Sequence, residues 1–134
     1  MNNTYHPLIL LAGRVLIASV YLVAGVRKLM GFAGTVGYFT KLGFPAPEFV
    51  TVLAIIIEIG GGLLLVFGWK TRWAAWLIAL FTLIAAFAAH RFWEIADPGQ
   101  YGNQMNHFLK NMAIVGGLIF VATFGPGRAS VDKG

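Results

Sequence analysis

The chain contains no cysteine among its 134 residues. That absence excludes disulfides, thiolate metal sites and dithiol redox chemistry, so we expect any electron or group transfer to use a bound molecule. Charge is also scarce, because Asp, Glu, Lys and Arg make up 11% of the chain, against about 25% in ordinary globular proteins. With 58% apolar residues and a mean hydropathy of +0.76, the sequence predicts a membrane protein rather than a soluble domain.

The chain has ten basic and five acidic residues, which gives a formal net charge of +5. The basic residues flank apolar runs and form no basic tract, so the bilayer, and not nucleic acid, is the predicted partner. We expect no metal site, since His90, His107 and Glu94 lack the spacing of a zinc motif. We also expect no haem, because His90 and His107 lie near the same surface and form no haem motif.

Four apolar segments approach the length of about 20 residues that a helix needs to cross a bilayer. They predict transmembrane spans over residues 8–26, 49–68, 73–90 and 108–124. The predicted fold is therefore all-α, a four-helix transmembrane bundle with both ends of the chain on one side.

Two further patterns add detail to the predicted bundle. Phe32, Val36 and Phe39 have helical spacing, which predicts a short amphipathic helix lying in the membrane interface within the first loop. The glycine runs at 60–62 and 116–117 predict close packing of the second and fourth spans against their neighbours, because small residues let helices approach.

The loops differ in length on the two sides of the predicted bundle. The turn at 68–72 is tight and flanked by tryptophans, whereas the first loop and the loop at 91–107 are long enough to cap a pocket. Basic residues number four on each side, so the positive-inside rule decides the orientation only if Arg27 and Lys28 act inside the bundle. In that case the termini are cytoplasmic.

Arg14 and Glu58 are ionisable residues inside predicted spans, where an unpaired charge costs roughly 2.5 to 3.5 kcal/mol. At a rise of 1.5 Å per residue their depths differ by about 4 Å, which predicts a buried ion pair. Such a pair either pins the first two helices together or forms part of a polar ligand site.

More polar residues gather toward the loop-rich side: Arg27, Lys28, His90, Asn106, His107, Lys110 and Asn111. The two lysines either snorkel to lipid headgroups or face the bundle. His90 either lies in the interface or holds a quinone carbonyl and relays protons. On the fourth helix, Asn106 shares a face with Lys110 and His107 shares another with Asn111, so one pair can face the bundle.

The order and spacing of these residues resemble the DoxX family, nearest to a small inner-membrane branch of it. The resemblance rests on Arg14, residues 24–29, residues 58–62, residues 67–68, His90, residues 110–111, residues 116–118 and residues 125–127. It covers nearly the whole chain and implies a single transmembrane domain over residues 1–134 in a bacterial inner membrane. It also implies an oxidoreductase or a quinol-oxidase-associated subunit, with a site at Arg14, Lys28, Glu58, His90 and Asn111.

The leading hypothesis is a membrane protein of a redox system that binds a quinone, or a similar apolar redox ligand, within the bundle. The predicted catalytic residue is His90, and the predicted ligand-binding residues are Arg14, Lys28, Glu58, Lys110 and Asn111. A partner oxidoreductase is expected, because the sequence has no ligand set for a second redox centre. The alternative is a noncatalytic membrane anchor or assembly subunit that docks partners through residues 91–107; a homo-oligomer is compatible with either hypothesis.

Overall fold

The computed structural model describes residues 6–134, and all of the regular structure in that range is helical. In chain order the α-helices are α1 (Pro7–Met30), α2 (Phe32–Lys41), α3 (Pro47–Ile55), α4 (Gly61–Phe67), α5 (Thr71–Ala89) and α6 (Pro98–Phe124). A π-helical segment, Ile56–Gly60, joins α3 to α4 without a break, and a 3₁₀ turn covers Phe92–Glu94. The predicted all-α fold is confirmed.

Four helical stretches within the described residues are long and apolar enough to cross a membrane: Pro7–Met30, Pro47–Phe67, Thr71–Glu94 and Pro98–Phe124. They confirm the four predicted spans. The predicted loop at 91–107 is wrong in its second half, because α6 begins at Pro98. Asp97 caps that helix by accepting a hydrogen bond from the Gly99 amide, and the first turns of α6 are polar, so hydropathy alone misses them.

The predicted short helix of the first loop is present as α2. It packs mainly against α3, and the Phe39 and Phe44 rings meet edge to face at 5.5 Å between centroids. These contacts fold the first loop back over the start of the second span.

Close helix packing occurs at glycines of the second span, as predicted. A Cβ atom on Gly61 would lie 2.6 Å from Ile78 Cδ1 of α5, and one on Gly62 would lie 2.7 Å from Leu22 Cδ2 of α1. In α6 the prediction is wrong for Gly116, which has no neighbouring atom within 4 Å of its Cβ position. Gly117 has only an ordinary contact with Ile17, at 3.5 Å.

The turn at 68–70 and the C-terminal tail, residues 125–134, form what we call the closed end of the bundle. The Val131 and Asp132 amides donate to the carbonyls of Phe67 and Gly68, at 2.9 and 2.8 Å. Gly68 has a φ of 67°, and a Cβ there would collide with Ser130. The tail therefore satisfies carbonyl groups at the end of the second span that its own helix leaves unpaired.

Candidate functional site

A cavity of about 410 Å³ lies between the second and third spans at the opposite end of the bundle, which we call the cavity end. The helix α2 and the loop that follows it roof the cavity, and its walls are mainly apolar. Its lining residues are Lys28, Tyr38, Phe39, Leu42, Phe44, Val50, Leu53, Ala54, Ile57, Glu58, Leu77, Leu80, Phe81, Ile84, Ala85, Ala88, Ala89 and His90. A few polar groups thus face a largely apolar space.

Lys28 and Glu58 form an ion pair on the cavity wall, with 2.8 Å between Nζ and Oε1. The Glu58 side chain is 3% exposed, whereas the Lys28 side chain is 27% exposed. Removing either partner would leave a buried or half-buried charge without compensation, which is costly in an apolar setting. Lys28 therefore neutralises Glu58 while part of its side chain remains exposed.

The predicted ion pair between Arg14 and Glu58 is wrong. The Arg14 guanidinium is buried at the closed end, where it donates to the carbonyls of Leu65 at 2.8 Å, Val66 at 3.2 Å, and Ala129. The antiparallel register explains the error, because Glu58 lies opposite Gly25 of α1 and not opposite Arg14. Eleven residues separate these α1 positions, which corresponds to roughly 16 Å along the helix.

Glu58 occupies the middle of the π-helical segment Ile56–Gly60. A π-helical turn accommodates an extra residue and rotates the side chains that follow it, and such turns are frequent at functional sites. Gly25 admits this wider turn, since a Cβ there would lie 2.6 Å from Ile59 Cγ1 and 3.2 Å from Glu58 Cβ. Local backbone geometry and a glycine on the neighbouring helix together bring the carboxylate beside Lys28.

His90 ends α5 and lines the same cavity. Its Nδ1 lies 2.8 Å from the amide oxygen of Gln104 on α6, and its ring stacks on His107, with 5.0 Å between centroids and 21° between planes. Two residues of α6 thus hold one edge and one face of the imidazole.

Tyr38 adds a hydroxyl group to the roof of the cavity. Burial raises the pKa of this phenol above its ordinary value of 10.0, so the group keeps its proton at neutral pH. It can therefore donate a hydrogen bond to a ligand.

A second hydroxyl pair lies within the core of the bundle. The Thr82 hydroxyl donates to the carbonyl of Ile78 at 2.8 Å, so Tyr21 is the donor in the 2.6 Å contact between Tyr21 Oη and Thr82 Oγ1. This bond joins α1 to α5.

The cavity brings together three of the six residues predicted for the site, namely Lys28, Glu58 and His90. Lys110 and Asn111 lie outside its lining, and Arg14 lies at the other end of the bundle. Asn106 and Lys110 are exposed, whereas His107 and Asn111 are half-buried. The second of these pairs is therefore the one that faces the bundle.

Sequence reasoning missed Gln104 and Tyr38 as parts of the site. Gln104 stood in a predicted loop, and a tyrosine near an interface carries no signal of its own. Had α6 been predicted to begin earlier, Gln104 would have been found as an amide side chain three residues before His107, on the same face of the helix. Within residues 6–134 no three His, Asp or Glu side chains gather where they could hold a metal ion.

Comparisons with known proteins agree with this membrane architecture. The DoxX family model matches residues 9–91. The inner membrane protein YphA of Escherichia coli is 35% identical over 128 residues, covering 96% of this chain and 91% of its own. The inner membrane protein YqjF of the same organism is 38% identical over 123 residues, covering 92% and 88%.

A more distant relative carries a functional name. The putative oxidoreductase CatD of Bacillus subtilis is 37% identical over 86 residues, covering 64% of this chain and 61% of its own. No solved structure matches the chain.

Proposed function

The chain belongs to the DoxX family of inner-membrane proteins, and on that basis we propose that its cavity binds the head group of a quinone or a similar apolar redox ligand. A partner oxidoreductase exchanges electrons with the bound ligand. The observation that carries the proposal is the apolar cavity of about 410 Å³ with Lys28, Glu58 and His90 on its wall. Small-molecule sites commonly enclose about 300 to 1,000 Å³ and combine apolar walls with a few placed polar groups.

Lys28 suits the role of hydrogen-bond donor to a ligand oxygen. Its ammonium group carries three protons, more than an ion pair with one Glu58 oxygen can use. The nearby carboxylate orients the ammonium group, so its other protons can be donated to a carbonyl or hydroxyl oxygen of a ligand. Glu58 acts in this scheme as a positioning residue.

His90 suits the role of proton carrier. Conversion of a quinone to a quinol takes up two electrons and two protons, and the reverse reaction releases them. An imidazole can give or take one of these protons at a ligand oxygen, because a ring nitrogen can either donate or accept a hydrogen bond. The electrons pass to or from the partner enzyme, since the chain has no cysteine thiols to carry them. The name of CatD, a putative oxidoreductase, supports the redox assignment.

Quinone binding by the purified protein in lipid nanodiscs tests the proposal. We expect a short-chain quinone to bind to the wild type, and Lys28→Met combined with Glu58→Gln to weaken binding about tenfold, because one charge-assisted hydrogen bond is lost. The double change avoids an unpaired buried carboxylate, so thermal melts should show a folded protein. Lys41→Met removes an exposed cation of α2 outside the cavity lining and should leave binding unchanged.

A second candidate function is a noncatalytic anchor for a redox complex. An aromatic cluster at the cavity end favours it: Phe87, Phe92, Trp93, Tyr101 and Phe108 pack together by edge and tilted contacts. Trp93 and Tyr101 remain 48% and 40% exposed, and aromatic residues of this kind are common in protein interfaces. A wild-type protein that binds no quinone and co-purifies with none would overturn the quinone proposal in favour of this anchor.

A further inference from the structure

The contact between His90 and Gln104 sets which hydrogen bonds the cavity can make. The atom of Gln104 that lies 2.8 Å from His90 Nδ1 is the side-chain carbonyl oxygen, which can only accept a hydrogen bond. The proton of a neutral His90 imidazole therefore resides on Nδ1. The other ring nitrogen, Nε2, then carries a lone pair and no hydrogen.

The stacked ring of His107 helps to keep this arrangement in place. It covers one face of His90 at 5.0 Å and so fixes the plane of the imidazole, while a 180° flip of the ring within that plane would break the Nδ1 contact with Gln104. Among the contacts of residues 6–134, His90 Nε2 has no hydrogen-bond partner. Because His90 lines the cavity and Nδ1 is occupied by Gln104, Nε2 is the nitrogen left for a ligand.

We infer that Gln104, by holding His90 with a lone pair on Nε2, makes the cavity prefer the reduced, hydroxyl-bearing form of its ligand. A phenolic hydroxyl donates a hydrogen bond to Nε2. A quinone carbonyl oxygen is an acceptor like Nε2, so the two atoms form no hydrogen bond. Lys28 does not discriminate, because its ammonium group donates to a carbonyl oxygen and to a hydroxyl oxygen alike. Gln104 is a positioning residue in this scheme, and the inference rests on the proposed function.

The preference can be measured without redox turnover, using a long-chain alkylphenol and its methyl ether as probes. Only the phenol can donate to Nε2. We expect the wild type in nanodiscs to bind the phenol about tenfold more tightly than the ether, the effect of one neutral hydrogen bond against an unmade one. Under anaerobic conditions, a short-chain quinol should bind more tightly than the matching quinone by a similar factor.

Two variants of Gln104 separate its role from simple packing. Gln104→Met removes the acceptor and should abolish the preference, whereas Gln104→Glu keeps an oxygen that accepts from Nδ1 and should retain it. Gln100→Met, an exposed change one turn earlier on α6, is the matched control and should behave as the wild type.

Nuclear magnetic resonance of isotope-labelled histidine reports the tautomer directly, with His90→Gln to assign the signals. We expect the Nδ1-protonated form in the wild type and in Gln104→Glu, and a mixture in Gln104→Met. A wild-type Nε2-protonated form, or equal binding of phenol and ether, overturns the inference while leaving the proposed function intact. Failure of every quinone, quinol and phenol to bind overturns both.

Discussion

Asp132 caps the first turn of α5 from the far end of the chain. Its carboxylate accepts hydrogen bonds from the Lys70 and Thr71 amides, both at 2.9 Å, and from the Thr71 hydroxyl at 2.8 Å. Lys70, the residue directly before α5, has a left-handed backbone and makes no side-chain cap of its own. The carboxylate therefore supplies the acceptor that an N-terminal turn requires.

The protonation of Asp132 should make stability depend on pH. Partial burial acts to raise the pKa of this carboxyl, but the hydrogen bonds from Thr71 and Lys70 and the charge of Arg14 outweigh it. The pKa in the folded protein therefore lies below the ordinary 3.8. The stabilisation is fully present above 3.8 and is lost as the pH falls through the lowered value.

We expect Asp132→Asn to lower the free energy of unfolding at neutral pH by about 1 kcal/mol, because one of the two accepting oxygens becomes an amide nitrogen that cannot accept. Its loss of stability on acidification should also be smaller than that of the wild type, because the group that titrates is gone. Thermal melts in mild detergent across acidic and neutral pH measure both effects. Glu48→Gln changes an exposed carboxylate at the start of α3 and should keep the pH dependence of the wild type. If Glu48→Gln also reduced the loss of stability on acidification, the result would argue against the cap.

Single residues of the site were partly predictable from the sequence. Lys28, Glu58 and His90 stand out because ionisable groups are rare and costly within apolar spans. Their partners were not predictable, since pairing depends on the antiparallel register and on a π-helical turn that leaves no clear sequence pattern. Gln104 and the Tyr21–Thr82 pair were not predicted, because uncharged polar side chains commonly form hydrogen bonds between membrane helices and so do not stand out in a sequence.

At the scale of elements, close approach between helices depends on individual glycines rather than on glycine runs. Gly60 and Gly61 are neighbours in sequence, yet the Cβ position of Gly60 has no atom within 4 Å, while that of Gly61 lies against Ile78. Ile78 is fully buried, so it has little room to move. The face of the helix, and not the composition of the run, decides which glycine is required.

Gly61→Ala should destabilise the protein by roughly 1 to 3 kcal/mol, the usual cost of adding a methyl group to a filled core. Gly60→Ala should be neutral or stabilising by up to about 1 kcal/mol, because alanine restricts the unfolded chain and meets no neighbour here. Thermal melts of the two variants side by side give the comparison. Equal melting temperatures would show that the second and third spans are less tightly packed at Gly61 than the structure has them.

Hydropathy predicted the number and order of the spanning helices, but it misplaced the start of α6 by ten residues. The helix begins at Pro98, where Asp97 caps it, and continues through polar turns before its apolar part. A helix of this length exceeds the hydrocarbon thickness of about 30 Å, so part of it extends beyond the apolar layer. The capping signal, and not the hydropathy, marks such an end.

At the scale of the whole molecule, the two ends of the bundle have different characters. The closed end is held by backbone hydrogen bonds to the tail, whereas the cavity end carries the polar site. Of the two residues on which the predicted orientation depends, Lys28 pairs with Glu58 whereas Arg27 is exposed, so four cations at the closed end oppose three at the cavity end. The remaining balance favours cytoplasmic termini under the positive-inside rule.

Membrane orientation can be tested by single-cysteine labelling, since the native chain has no cysteine. We expect an impermeant maleimide to label Asn103→Cys at the cavity end in intact bacterial cells, and to label Gly134→Cys at the closed end only after the membrane is opened. Both positions are exposed, and neither residue is charged, so the substitutions leave the balance of loop charges unchanged. The reverse labelling pattern would place the termini outside.

The contacts of Arg14 also have a consequence for the order of synthesis. The residue enters the membrane with the first helix, but one of its acceptors is the carbonyl of Ala129, 115 residues later in the chain. Until Ala129 has been synthesised, the guanidinium therefore lacks one of its acceptors, in an environment where an unsatisfied charge is costly. Chains truncated before Ala129 keep this buried cation short of an acceptor, so we expect them to survive in the membrane for a shorter time than chains that include it.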